Sequence, residues 1–148
     1  MGSTTQRTRS RRRSRRGIAI VEFAIVLPIF LLAIIGIIEF GRAVMVQQML
    51  VNAAREGARR AIIPGATNAS VTTLVENYLD TADRYLEHAA GRQVDITDEN
   101  GNAIDLATTE SHTAVAVTVS VPYSEVGVGF SSYFSGATLG ATIQVRTE

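Results

Sequence analysis

Hydrophobic and polar positions divide the chain into one continuous apolar run near the N-terminus and periodic patterns after it. The run covers Ile18 to Ile38 and reads IAIVEFAIVLPIFLLAIIGII, 21 residues with one charge, one proline and one glycine. As a helix it would extend about 30 Å, which is the thickness of the hydrocarbon core of a bilayer. The run therefore predicts one transmembrane helix over residues 18–38, preceded by a separate leader segment, residues 1–17.

Helix-forming residues continue beyond this run until Pro64 and Gly65, a pair that commonly ends a helix. An unbroken helix from Ile18 to Ile63 would contain 46 residues and extend roughly 69 Å. Residues 39–63 are therefore predicted to continue the transmembrane helix into water. Pro28 removes one backbone hydrogen bond within the span and can kink it.

Small residues recur at helical spacing in the last part of this helix, at Ala54, Gly57, Ala58 and Ala61. A smooth stripe of this kind suits close packing, and two partners remain open: another subunit or, as the safer interpretation, the chain's own domain. The neighbouring arginines are expected to face water: Arg55, Arg59 and Arg60.

The remaining residues, 66–148, predict a small α+β domain that opens with an amphipathic helix. Ser70 is the expected N-cap of this helix, and Gly91 marks its end. Its apolar positions recur at intervals of three and four residues: Val71, Leu74, Val75, Tyr78, Leu79, Ala82, Tyr85, Leu86 and Ala89.

Alternating patterns after this helix predict a short antiparallel sheet. A weak strand covers Gln93 to Thr97, and the following DENGN carries an Asn-Gly pair that favours a hairpin. The stretch HTAVAVTVSVPY places four valines on one face, which should be buried: Val115, Val117, Val119 and Val121. ATLGATIQVRTE alternates in the same way, and we expect these two long strands to pair antiparallel, with a loop from Tyr123 to Gly136 between them.

The charge is unevenly distributed, although the formal net charge is zero. Seven of the 14 basic residues lie in residues 1–17, which leaves a net charge of −7 after Gly17. Beside an apolar span, a cationic tail indicates a topogenic signal that stays in the cytoplasm, and a nucleic-acid-binding arm is the weaker alternative. The run ends in Glu39, Phe40 and Gly41 rather than in a small-residue cleavage site, which argues against a cleavable secretory signal.

The sequence offers little that could carry out catalysis. Cysteine is absent, which removes disulfides, thiolate nucleophiles and Cys-based metal sites. His88 and His112 lack metal-ligand spacing, and Asp98, Glu99 and Asn100 are better explained as a turn than as a calcium loop. We therefore expect no enzyme activity, no catalytic residue, no cofactor and no metal.

Glu22 is the one charge within the apolar run. A charged side chain deep in a span costs roughly 2.5 to 3.5 kcal/mol on insertion scales, so it usually marks a function. The order of basic tail, Gly17, apolar helix and early Glu22 resembles the processing site of type IV prepilins, which a membrane aspartyl peptidase cuts after the glycine. By this resemblance the cut falls between Gly17 and Ile18, and Glu22 becomes the fifth residue of the mature chain.

Three blocks, GIAIVEFAIVLP, IIEFGR and NAAREGARRA, narrow the resemblance to the TadE-like family of tight-adherence (Flp pilus) systems. The VTVSVPY and QVRTE stretches nearer the C-terminus are also similar to that family. Phe23 stands where the major Flp pilins carry Tyr, which implies a minor pseudopilin in which Glu22 and Phe23 serve assembly and recognition.

The resemblance implies a type IV pilin-like fold and a protein that a prepilin peptidase processes and that supports assembly of Flp, or type IVb, pili and secretion. It implies a bacterial inner-membrane protein with a cytoplasmic N-terminus and an extracytoplasmic C-terminal domain. Its partners would be the prepilin peptidase, other Tad pseudopilins, the Flp pilin and assembly platform proteins, with no nucleic acid among them. The alternative is a single-span, membrane-anchored binding module that keeps its tail and never polymerises.

Two physical interpretations of Glu22 remain open. After cleavage, its carboxylate could pair with the new amino group of Ile18 on a neighbouring subunit, which would relieve two desolvated charges together. Alternatively, Glu22 lies close enough to the cytoplasmic interface for its carboxylate to reach water, and it has no further role.

Overall fold

A computed structural model of the chain describes residues 11–82, 86, 89–110, 113–127 and 136–147. Its elements are two long helices, α1 (Arg11–Ala61) and α2 (Asn68–Ala82), three strands, β1 (Gln93–Asp98), β2 (Ala114–Pro122) and β3 (Thr138–Arg146), and a helical turn, α3 (Tyr123–Val126), between the last two strands. The α+β fold class predicted from the sequence is confirmed: a long apolar helix precedes a second helix and an antiparallel sheet.

Helix α1 runs without interruption through Pro28 and ends before Pro64, as the sequence predicts. The described part of the helix already includes Arg11, within the basic tail. Gly65, with φ of 80°, adopts a left-handed conformation that suits glycine and lies just beyond the helix end. The boundary between two compact units of the chain falls between Ile38 and Glu39.

The first unit contains the apolar part of α1. From Gly17 to Ile38 every side chain is exposed except that of Leu27, which is half-buried. These residues are uncovered within the chain, as expected for a helix whose surroundings are lipid or other subunits.

The second unit, from Glu39 onward, packs helical residues against one face of the sheet. The strand order is β1-β2-β3, and both pairings are antiparallel. Val117 pairs with Ile96 on β1 and with Ile143 on β3, so the apolar positions of all three strands share one face. The prediction for the central strand is confirmed, since its four alternating valines are fully buried: Val115, Val117, Val119 and Val121.

The small-residue stripe of α1 packs within the chain's own domain, which was the safer of the two interpretations. Its members are all buried: Ala54, Gly57, Ala58 and Ala61. Gly57 lies where α1 approaches Val75 of α2 and Val117 of β2. Arg55 and Arg59 are exposed as expected, whereas Arg60 is half-buried.

The start of α2 differs from the sequence prediction. Thr67, not Ser70, precedes the helix, and the two residues bond reciprocally: the Ser70 amide donates to Thr67 Oγ1 at 3.2 Å, and the Thr67 amide donates to Ser70 Oγ at 3.1 Å. This arrangement is a capping box in which serine occupies the third helical position. Prediction of Ser70 as the N-cap was wrong because both residues are good caps and the box uses both.

The apolar face of α2 is narrower than the periodicity predicts. Val71, Val75 and Leu79 are buried, whereas Leu74 is half-buried and Tyr78 is exposed. The helix is described as far as Ala82, Leu86 beyond it is also helical, and Tyr85, which the pattern assigns to the same face, lies outside the described residues.

The turn after β1 uses the predicted residues but forms almost no hairpin. Asp98 Oδ1 accepts hydrogen bonds from the amides of Asn100 and Asn102, and Gly101 takes a φ of 84°. Beyond the turn, pairing is limited to a single bridge between Thr97 and Ala103. The long partner of β1 is instead the central strand β2, because that strand buries the valine face.

Candidate functional site

The four residues that the sequence assigns to processing and assembly lie in consecutive turns of α1. Gly17, Ile18, Glu22 and Phe23 are all exposed, Ile18 by 57% and Phe23 by 63%. An added Cβ at Gly17 would meet no atom within 4 Å. Ile18 and Glu22, four residues apart in a helix, share one face.

Glu22 lies in the most apolar part of the chain. Within the described residues, one helix is long and apolar enough to cross a membrane, Gly17–Ala61, and its most apolar stretch is fully uncovered. No hydrogen bond or ion pair joins Glu22 to any side chain in the part of the chain that the structure describes. A carboxylate in this position would have to find its partner outside the described residues or reach the bilayer surface.

A second group of polar residues joins the helix to the sheet just after the span. The Tyr123 hydroxyl donates a hydrogen bond of 2.9 Å to Oε1 of Glu39, which is buried with 6% of its surface exposed. Arg42 Nε donates to the carbonyl oxygen of Val126. These contacts fasten α1 to the segment that follows β2, across 84 residues of sequence.

The surroundings of Tyr123 raise the pKa of its hydroxyl. Burial raises the pKa of the Tyr123 hydroxyl above its usual value of 10.0, and the hydrogen bond to Glu39 and the negative charge of that carboxylate raise it further. The positive charge of Arg42 acts in the opposite direction. The tyrosine is therefore held in its neutral form, in which its hydroxyl can donate to the carboxylate.

Sequence reasoning recorded Glu39, Arg42 and Tyr123 within separate blocks and assigned them no role. The sequence feature that could have indicated this site is the pair of opposite charges, Glu39 and Arg42, three residues apart at the end of the apolar run. Their partners were not recognisable, because α3 lies far away along the chain.

Family comparison addresses the helical part of the chain. Residues 17–59 match the family model described as TadE-like protein. The match confirms the family resemblance seen in the sequence blocks and places the chain in the context of Tad pilus systems. The TadE-like segment begins at Gly17, contains Glu22 and Phe23, and continues past the Glu39 and Arg42 contacts into the small-residue stripe. No curated protein and no solved structure matches the chain.

The polar contacts of Asp98 are local to the turn after β1. Hydrogen bonds from the Asn102 side chain and amide lower the pKa of Asp98 below its usual 3.8, with further donation from Asn100. Asp98 thus serves its own turn. No group of three or more His, Asp or Glu side chains is placed to hold a metal ion within the residues described here, which exclude His88 and His112.

Proposed function

We propose that this chain is a non-enzymatic minor pilin, or pseudopilin, that a prepilin peptidase cuts between Gly17 and Ile18 and that supports assembly of Flp pili. The observation that supports this proposal most directly is the TadE-like match, which begins at Gly17 and extends along α1. The Arg-rich tail would remain in the cytoplasm and the α+β domain would lie outside, in accordance with the positive-inside rule.

The setting of Gly17 suits a peptidase. The residue lies at the junction of the basic tail and the apolar run, is exposed, and has open space around an added Cβ within the part of the chain that the structure describes. Glycine within a helix costs about 1 kcal/mol relative to alanine. The glycine therefore lowers the local stability of the helix at the residue where a peptidase would have to open it to reach the peptide bond.

The exposure of Glu22 suits a role between subunits. A neighbouring subunit's new amino group at Ile18 would offer a positive charge to this carboxylate, and the pair would cost much less in lipid than two separate charges. Pairing of this kind would set the axial position of one subunit against the next. The partners proposed for this assembly are other Tad pseudopilins, the Flp pilin and the assembly platform.

The test of processing is the mass of the membrane-extracted protein. We expect the native chain to start at Ile18 and Gly17→Val to retain residues 1–17, because the enlarged side chain blocks the cut. Gly36→Val is the matched control, since Gly36 lies in the same helix with open space around it, and it should be processed normally. An unchanged mature mass for Gly17→Val, or an intact tail on the native chain, would favour the unprocessed membrane-anchored module.

The test of pairing is pilus assembly. We expect Glu22→Ala to be inserted and cut normally but to fail in pilus assembly, whereas Glu22→Asp, which keeps the charge, should assemble better. Pili formed by Glu22→Ala at the native level would contradict the pairing and leave the interpretation in which the carboxylate merely reaches the interface.

A further inference from the structure

The second unit carries an apolar face on α1 directly after the predicted span. Phe40 is 72% exposed, Val44 44% and Met45 42%, and Gly41 is exposed beside them. These four residues, which we call the boundary face, share one side of the helix, because at about 100° per residue they lie within an arc of about 140°. Apolar residues of this size exposed together mark a surface that contacts something other than water.

Both charged residues of the same helical segment turn away from the boundary face. Glu39 is buried against Tyr123, and Arg42 is half-buried with its Nε bonded to the Val126 carbonyl. The domain itself therefore takes up both charges, which leaves the boundary face uncharged.

Polarity increases stepwise along the exposed side of α1. Beyond the boundary face, the next exposed residues are the uncharged polar Gln48 and Asn52, and the first exposed charge follows at Arg55. An interface with another protein requires no such order. A helix that leaves a bilayer passes from hydrocarbon through headgroups to water, and its surface follows that order.

The length of the boundary face along the helix agrees with the thickness of a headgroup layer. Phe40 to Met45 corresponds to a rise of about 7.5 Å along the helix. The headgroup layer on each side of a bilayer is about 5 to 7.5 Å thick, since the total thickness of about 40 to 45 Å includes about 30 Å of hydrocarbon. The boundary face is thus as long as one headgroup layer is thick.

We propose that the boundary face is embedded in the lipid headgroup layer, so that the domain rests directly on the bilayer surface. The Glu39–Tyr123 hydrogen bond then lies at the level of the membrane surface and holds the end of β2 there. This inference goes beyond the proposed pilus function and shares with it only the membrane span.

The absence of cysteine in the native chain allows a direct test with single spin labels. Val44→Cys and Met45→Cys report on the boundary face, Asn52→Cys on the water-exposed side of the same helix, and Ile37→Cys on the span. Each full-length labelled chain is reconstituted at high dilution in phosphatidylcholine–phosphatidylglycerol vesicles. Collision rates of the label with oxygen, which partitions into lipid, and with a water-soluble nickel chelate are then measured.

We expect the nickel collision rate at Val44 and Met45 to be several-fold lower than at Asn52 and higher than at Ile37, with oxygen collisions in the opposite order. A nickel rate at Val44 equal to that at Asn52 would show that water covers the face and would overturn the proposal. Low collision rates with both reagents would also overturn it, because they would show that protein, such as a second copy of the chain, covers the face.

Discussion

Gly57 gives the sharpest test of how closely α1 packs against α2 and β2. A Cβ added at this position would lie 2.7 Å from Val75 Cγ2, 3.2 Å from Val117 Cγ1 and 3.5 Å from Val71 Cγ1. Val75 and Val117 are fully buried, and valine has little rotameric freedom in a helix or a strand. Neither side chain can therefore move aside without displacing its own neighbours.

Two opposing terms decide the effect of Gly57→Ala on stability. Replacing glycine by alanine inside a helix stabilises the helix by about 1 kcal/mol. Forcing an extra methyl group into a packed core costs typically about 1 to 3 kcal/mol, and contact at 2.7 Å with a fully buried side chain belongs at the upper end of that range. We therefore expect Gly57→Ala to lower the free energy of unfolding by about 2 kcal/mol.

Urea unfolding of the full chain in detergent micelles, followed by tyrosine fluorescence, measures this difference. Gly41→Ala is the matched control: Gly41 lies in the same helix with no atom within 4 Å of its added Cβ, so this variant should gain stability. The penalty of Gly57→Ala should also shrink in a Val75→Ala background, where the closest methyl group is missing. If Gly57→Ala were as stabilising as Gly41→Ala, the close approach of α1, α2 and β2 would be refuted.

Two further predictions concern the polar contacts of the domain. Tyr123→Phe removes the donor to the buried Glu39 carboxylate and should lower the free energy of unfolding by about 1.5 to 3 kcal/mol, whereas Tyr78→Phe, at an exposed position, should change it little in the same urea titration. The pKa of Tyr123 is raised in the folded protein, so the stabilising contribution of this residue is complete below pH 10.0 and is lost as pH rises through the pKa of the folded state. The native chain should therefore lose stability in alkali, and Tyr123→Phe should lose less. The pKa of Asp98 is lowered in the folded protein, so its contribution to stability is present above pH 3.8 and is lost as pH falls through the pKa of the folded state. Asp98→Asn should therefore flatten the acid side of a plot of unfolding midpoint against pH. An unchanged acid side would contradict the turn hydrogen bonds.

Local pattern alone determined most of the secondary structure. The apolar run, the stop at Pro64, the valine alternation and the Asn-Gly turn each depend on residues adjacent in sequence, and all appear where predicted. The misplaced N-cap at Ser70 is instructive, because Thr67 and Ser70 have the same capping chemistry and differ only in which one lies outside the helix.

Position on a face was less predictable than the helix itself. Tyr78 follows the apolar period of α2 and is nevertheless exposed, because burial of a periodic position depends on how wide a surface the neighbouring elements cover. For the same reason the residues after β1 form a turn with one bridge rather than a full hairpin, since the valine-rich β2 takes the place beside β1.

The sequence by itself therefore determined the candidate membrane helix and its continuation, because these depend on hydrophobicity along one continuous helix. The candidate processing and assembly residues Gly17, Ile18, Glu22 and Phe23 came from the resemblance of the sequence to a known family. Only the tertiary structure decided that Glu39 meets Tyr123 and that Gly57 lies against Val75 and Val117. Such contacts join residues far apart in the chain, and they exist only once burial of the valine face has fixed the register of helices and strands.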